Sequence, residues 1–388
     1  MDTPAARILP PTAIGLRAKI TRVETIPLRI PFRALHKIAA GPARGSVDFV
    51  IVRLHTDQDV SGIGETQAWR RHGSSETLAS VTTAINDHFA PRLIGQSPFD
   101  IAAIMLSLED AVYHSHYAQA AVADALLDIQ GKMLGVPLYA MLGGKYRDKI
   151  PMCGLLSIKP TLEKTMADAE ELFASGYRTF VVKTDDNVDA DVRAVKAVRE
   201  RFGNDIAIRT DSNAGMTFDS ALDLLKRIEP FGIQAAEQLL QIWDLDGTAE
   251  LARRTDIPLL ADESIATDHD LLGVIRKRAA RAFQTKAAKN GGIWYTRKLW
   301  QLGDAAGMRI CPGNHPSASI ATASVAHLAA AWPGPLLEGP FAFGVTVLTD
   351  DVVTEPIRVE GNHAWVPDGP GLGMTLDEDK IKKLRLDR

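Results

Sequence analysis

Five charged residues close five successive apolar runs in this 388-residue chain. Lys183 ends RTFVVK, Asp211 ends DIAIRTD, Glu237 sits in IQAAEQ, Asp262 in PLLADE, and Lys286 ends AFQTK. Successive members are 28, 26, 25 and 24 residues apart. A charge at the end of an apolar run is costly unless it is partnered, and unrelated charges seldom keep phase with a repeat. Three carboxylates on neighbouring strands repel one another without a cation among them. No Cys or His accompanies them, so the oxygen-only set argues against zinc and suits a hard divalent ion, Mg2+ first, with Mn2+ as a substitute. The matching chemistry is removal of the weakly acidic proton next to a substrate carboxylate, because a metal on the carboxylate oxygens stabilises the resulting enediolate. A lysine becomes a base only when burial or a nearby cation lowers its pKa. Lys183 and Lys286 bracket the acids. One can take a proton from one face; the other can return one on the opposite face, assist a leaving group, or only stabilise charge.

These residues need a scaffold that places one strand end beside the next. From about residue 151 onward the chain alternates short apolar runs with amphipathic helices: MCGLLSI, RTFVVK, DIAIRTD, IQAAEQ, PLLADE, AFQTK, MRICP and PLLEG. Right-handed βα crossovers repeated about eight times close into a (β/α)8 TIM barrel, whose active site lies at the C-terminal strand ends. In that barrel, strands 2 and 6 stand across the axis from each other. Before the repeat, RVETIPLRI (22–30), VDFVIVRLHT (47–56) and IGETQAW (63–69) read as an antiparallel meander, followed by helical periodicity to about residue 142. The expected organisation is a tail over 1–18, an α+β capping domain over 19–140, a barrel over 141–345, and a segment over 346–388 that returns to the cap.

Bulk properties narrow the function. Hydrophobic residues make up 46%, charged residues 24%, and the formal net charge is −4, which excludes a polybasic nucleic-acid or membrane-surface partner. No apolar run reaches the ~18 residues of a membrane span. Cys153 and Cys311 form no disulfide framework or metal knuckle. They read as free thiols in a reducing compartment, and with no apolar leader in MDTPAARILPPTAIGLRAK a cytoplasmic location is expected. His114 and His116 form an HxH pair without a third ligand and read as a helix entry. Lys289, one turn past Lys286, is the less suitable base because Lys286 itself closes the apolar run.

At these residues the sequence resembles the mandelate racemase/muconate lactonizing enzyme group of the enolase superfamily, in its muconate cycloisomerase-like branch. The resemblance runs through HKIA (36–39), GIGET (62–66), LLDIQGK (126–132), LGG (142–144), DSN (211–213), EQ (237–238), ADES (261–264), KAAKNGG (286–292) and PGLGMTLDE (370–378). It implies an enolase-like (β/α)7β barrel beneath an α+β cap. It assigns Asp211, Glu237 and Asp262 as metal ligands, Lys183 and Lys286 as the acid/base pair, and Asn213 and Glu263 as residues supporting the ligands. It also implies a small carboxylate substrate, a homo-oligomer, and cap loops around 31–45 that close over the site, making His36 and Lys37 candidate substrate contacts.

Two positions depart from the family pattern. Lys-x-Lys at the end of strand 2 is here Val181-Val182-Lys183, which removes one positive charge. The Gly-Gly-Thr-Met-Leu-Glu-Gly run after strand 7 is here Pro312-Gly313-Asn314-His315-Pro316-Ser317-Ala318, with Ser317 at the glutamate position. His315 and Ser317 are therefore candidate substrate contacts. Both changes weigh against cycloisomerisation itself and bear much less on proton abstraction. The reading is a magnesium-dependent isomerase, a racemase/epimerase or cycloisomerase. The alternatives are a dehydratase that uses the same intermediate and a binding protein on the same scaffold.

Overall fold

The computed structural model describes residues 17–37, 43–67 and 76–387. The N-terminal strands β1 (Ile20–His36), β2 (Arg44–Thr56) and β3 (Ser61–Gln67) form an antiparallel sheet in sequential order. Ile26, Leu28 and Ile30 bury one face of β1, as period-two alternation requires. A helical run over 78–93 (α1) and helix α2 (Ile101–Ala111) flank the sheet. Helix α3 (His116–Leu134) lies between the sheet and the rest of the molecule and is buried on nearly every side from Tyr117 to Gly131.

The packing of β3 on α3 explains GIGET and LLDIQGK. A Cβ placed on Gly64 would lie 1.9 Å from the Ala121 carbonyl oxygen, and one on Gly62 would lie 2.2 Å from that of Ala125. Strand and helix backbones are in direct contact there, and only glycine fits. The buried Asp128 of α3 then accepts hydrogen bonds from Ile63 N (2.9 Å), Lys132 Nζ (2.6 Å) and Leu372 N (2.8 Å). One carboxylate thus joins GIGET, LLDIQGK and PGLG.

The second body is a parallel sheet of β5 (Gly154–Leu156), β6 (Thr179–Lys183), β7 (Ala207–Asp211), β8 (Ile233–Glu237), β9 (Leu259–Ala261), β10 (Ala282–Lys286) and β11 (Arg309–Gly313), ordered as in the sequence. Helices α4 (Leu162–Ala174), α5 (Val188–Phe202), α6 (Phe218–Ile228), α7 (Leu245–Arg254), α8 (Asp268–Lys277), α9 (Ile293–Ala305) and α10 (Ser319–Ala331) alternate with the strands. The eighth apolar run, PLLEG, closes the barrel through two parallel bridges, Ile310 to Leu336 and Met152 to Gly339, rather than as a full strand. Pro335 and Pro340 flank it and have no N–H to continue a ladder. The barrel is therefore of the (β/α)7β kind. Its lower interior is a small apolar plug of Ala235, Leu260, Ala282 and Cys311.

The C-terminal segment serves both bodies. Strand β12 (Val359–Glu360) pairs with β13 (His363–Trp365), and β13 pairs with β4 (Lys149–Pro151), at the barrel's foot. Helix α11 (Glu378–Leu384) then returns to the cap sheet, where Leu386 N donates to Pro27 O (2.9 Å) and Arg53 pairs with Glu378 (2.5 Å). Among the described residues no helix is long and apolar enough to cross a membrane.

Two buried cap acids also seat on barrel helices. Glu65 accepts from Ala318 N (2.8 Å) and Ala321 N (3.1 Å) at the start of α10. Asp124 accepts from Ile293 N at the start of α9 (3.2 Å) and from Ser324 Oγ (2.6 Å). Helix N-termini present unpaired N–H groups and a partial positive charge, so a carboxylate suits each. Burial pushes Glu65 up to about 7 and Asp124 up to about 6. Gly64→Ala is expected to force β3 from α3 and destabilise the protein by about 3 kcal/mol, as overpacking against backbone does. Thermal unfolding measures it, and an unchanged midpoint would refute the direct backbone contact.

Candidate active site

Inward-facing side chains recur once per strand end. Lys183, Asp211 and Glu237 are in direct register across β6, β7 and β8. Asp262 lies one residue past β9, and Lys286 ends β10. All five are essentially buried. Lys183, Asp211, Glu237 and Lys286 line one hollow of about 50 Å3 together with Asn213, Gln284, Val181 and His315. Four of the five residues singled out from spacing thus share one hollow; Asp262 is not on its wall and joins the group through the ammonium of Lys286.

Each carboxylate is held. Asp211 receives Lys183 Nζ, Asn213 N (2.8 Å) and Asn213 Nδ2 (3.2 Å). Lys183 also donates to Asn213 Oδ1 (3.1 Å), and Asn213 Nδ2 reaches Glu263 (3.0 Å). Asp262 receives Lys286 Nζ and, at 3.0 Å, Lys289 Nζ, which also donates to the Asp262 carbonyl. Glu237 receives Gln284 Nε2 at 2.8 Å. Asn213 therefore bridges Asp211 and Glu263. Lys289 faces Asp262 and lies outside the hollow's wall.

The loops after the strands are pinned by buried amides. Gln238 Oε1 accepts from Asp262 N (3.0 Å), Ser264 N (3.2 Å) and Ser264 Oγ (3.0 Å). Asn290 Oδ1 accepts from Lys286 N (2.9 Å). Asn213, Ala214 and Gln238 adopt positive φ values of 42°, 60° and 33°, a conformation that costs energy in non-glycine residues and clusters at functional sites.

The electrostatics follow from this crowding. Burial and the charges of Asp211 and Asp262 push Glu237 well above the usual carboxylate range. Burial and Asp262 push Glu263 up to about 7. Burial disfavours the charge on Asp262, but Lys286 and Lys289 outweigh it and hold that carboxyl below its usual range. Burial likewise disfavours the charged lysines. The charges of Asp211 and Glu237 nonetheless hold Lys183 above its ordinary value, and Asp262, Glu263 and Glu237 do so for Lys286.

Among the described residues no three acid, imidazole or thiolate side chains converge on one point; the ammonium groups take up the acid oxygens instead. The donor set itself fits a hard divalent cation: three buried carboxylates in mutual repulsion, with no sulfur or imidazole among them. Neutralising those acids would remove the interaction that keeps the lysines protonated.

The other candidates separate. His315 lines the hollow and stacks on Tyr117 of the cap at 5.5 Å between ring centroids. Ser317 is fully buried, donates to His315 O (3.0 Å), and lies outside the hollow's wall. Lys37 is exposed and also off the wall. The side chain of His36 and residues 38–39 of HKIA lie outside the described residues. Gln284, Asn314 and Tyr117 were not singled out from sequence. Gln284 alone carried a signal: it lies two residues before Lys286 and so shares its face of the strand. His116 opens α3, as an HxH helix entry should.

Sequence and structure comparisons agree with this geometry. The family description "Mandelate racemase / muconate lactonizing enzyme, N-terminal domain" matches residues 19–143, and "Enolase C-terminal domain-like" matches residues 164–380. The N-succinyl-L-Arg/Lys racemase of Bacillus cereus is 31% identical over 94% of this chain and 98% of its own length. A muconate cycloisomerase of Acinetobacter lwoffii is 29% identical over 95% of this chain and 97% of its own. The crystal structure of muconate lactonizing enzyme from Pseudomonas fluorescens, complexed with muconolactone, superposes with a TM-score of 0.91 at 31% identity, covering 95% of this chain and 100% of that one. Buried acids in register, a lysine on each flank and these matches over nearly the whole length lead to one conclusion: the chain belongs to the mandelate racemase/muconate lactonizing enzyme group of the enolase superfamily and is an isomerase of that group.

Proposed function

We propose that this isomerase is a racemase or epimerase that inverts the α-carbon of a small carboxylic acid. The observation that carries the reading is the position of Lys183 and Lys286, on strands flanking three buried acids and opening into one hollow. Asp211, Glu237 and Asp262 would hold the divalent cation, with Mg2+ the ion expected for an all-carboxylate set. When bound, the cation stabilises the negative charge that deprotonation puts on the substrate carboxylate. One lysine removes the α-proton, and the lysine across the hollow delivers a proton to the opposite face. Lys289 and Gln284 keep Asp262 and Glu237 oriented, while the walls exclude water from the carbanionic species.

Inversion is favoured over cycloisomerisation by Val181 and Ser317. Val181 puts an apolar wall where the family pattern has a cation, and Ser317, at the glutamate position, lies off the wall. The racemase from Bacillus cereus shows that a relative of this similarity is described as acting on an N-acylated amino acid. Division of labour between a cap over 19–140, completed by the returning C-terminal segment, and a barrel over 141–345 is supported by the contacts of β3, α3 and α11.

In D2O, wild-type protein should exchange the α-proton of both enantiomers of its substrate with no change in mass beyond deuterium. Loss of a water would establish the dehydratase alternative. Lys286→Ala and Lys183→Ala should each lower racemisation by about 10³-fold, within the range for a removed general acid or base. Each variant should leave exchange only on the enantiomer served by the remaining lysine, and substantial racemisation by either would refute two-base inversion. Divalent-cation removal should abolish activity and Mg2+ should restore it. Asp211→Asn should weaken Mg2+ binding by more than about tenfold, or 1.4 kcal/mol. Unchanged affinity in calorimetry would remove Asp211 from the ligand set.

A further inference from the structure

The catalytic hollow, at about 50 Å3, is far below the ~300 Å3 of a typical small-molecule pocket. A second cavity of about 570 Å3 adjoins it, and Leu155, Pro340 and Phe343 are walls of both. The cavity lies over the seam where the barrel closes. Among the described residues, β5 meets the eighth run through the bridge from Met152 to Gly339 and a hydrogen bond from Cys153 N to Gly339 O (3.3 Å). Pro340, the next residue, supplies no N–H to extend that pairing.

We infer that this seam is a side opening of the active site, and that the cavity beyond it receives the non-reacting tail of an extended, largely apolar carboxylic acid. The wall of the opening is continuous with the chemistry. Leu155 is the register partner of Val181, and both face the catalytic hollow. Val181, which stands where relatives carry a cation, thus joins Leu155 and Phe343 in an apolar path from the reacting centre to the seam. Beyond the seam, Phe32 and Leu35 of the cap, Leu172 and Tyr177 of the barrel flank, and Val347 are among the residues that line the cavity. Arg33, Glu171 and Lys159, the last paired with Asp168 at 2.7 Å, also line the cavity, so the apolar groups form part of its wall and not all of it. Cap strand and barrel seam together would select for chain length.

The inference rests on the proposed reaction only for the placement of the carboxylate end, and the two are separable. Calorimetric titration of the Mg2+-loaded, full-length protein with butanoate, hexanoate and octanoate reads tail binding without turnover. Kd should fall by at least about tenfold from butanoate to octanoate, a conservative figure given ~0.8 kcal/mol per buried methylene. Ala34→Trp and Thr346→Trp alter exposed residues that line only the larger cavity. Each should remove that gain while leaving butanoate affinity within about twofold. Octanoate binding no tighter than butanoate, or a gain that survives both substitutions, would overturn the inference. Length-dependent binding without α-proton exchange on any acid would instead refute the racemase reading and leave the tail site standing.

Discussion

Concentrated negative charge at one end of the barrel is the constraint that organises the rest of the molecule. Asp211, Glu237, Asp262 and Glu263 are all buried within a few residues of adjacent strand ends. Removing a carboxylate from water costs several kcal/mol even after relaxation, so each acid requires partners. The partners account for most of the polar residues nearby. Lys183 answers Asp211, Lys286 and Lys289 answer Asp262, Gln284 answers Glu237, and Asn213 bridges Asp211 to Glu263. Gln238 and Asn290 then hold the backbone that carries these groups. The positive-φ residues Asn213, Ala214 and Gln238 fit the same account: their strain is tolerated because a dense hydrogen-bond network fixes the loops.

The cap obeys a related rule. Of its buried acids, Asp128 meets Lys132, while Glu65 and Asp124 seat on the N-termini of α10 and α9, where unpaired N–H groups wait for an acceptor. Small residues allow the approach. Gly62 and Gly64 bring β3 onto α3, and on the other side Gly292, at φ 88°, lies against Ala120 and Ala123 of the same helix. Helix α3 is therefore held between a glycine-bearing strand and a glycine turn, and its alanine-rich sequence is what such spacing demands. Tyr117, near its start, carries this positioning to His315 on the wall of the hollow.

The spacing of strand ends was legible because a βα barrel presents one inward side chain at each strand's C-terminal end. That regularity marked Lys183, Asp211, Glu237, Asp262 and Lys286 as candidates. Partners were less visible. Gln284 is a neutral residue in an apolar run, and only its period-two relation to Lys286 marks its face. Lys289 reads as the less suitable base by position, but its contact with Asp262 is not legible in the sequence. The eighth run looked like the other seven in hydrophobicity, yet its flanking prolines reduce it to bridges. Ser317 and Lys37 show the limit of argument by position. A residue in a loop near the site faces the substrate or the core according to backbone turns that composition does not encode.

Val181 links charge, shape and selectivity. A lysine there would add a third ammonium inside the hollow, beside Lys183 and within the field of Lys286. Its absence leaves the net positive charge to Lys183, Lys286 and whatever cation the acids hold, enough for one substrate carboxylate and poorly suited to a second buried one. The β-branched apolar side chain also continues the surface of Leu155, its neighbour across the sheet. A single substitution therefore removes the partner for a second anionic group and extends an apolar wall in the same direction. Selection among acids would then rest on the length and polarity of the tail, while the reacting end keeps the geometry that the barrel's strand spacing imposes.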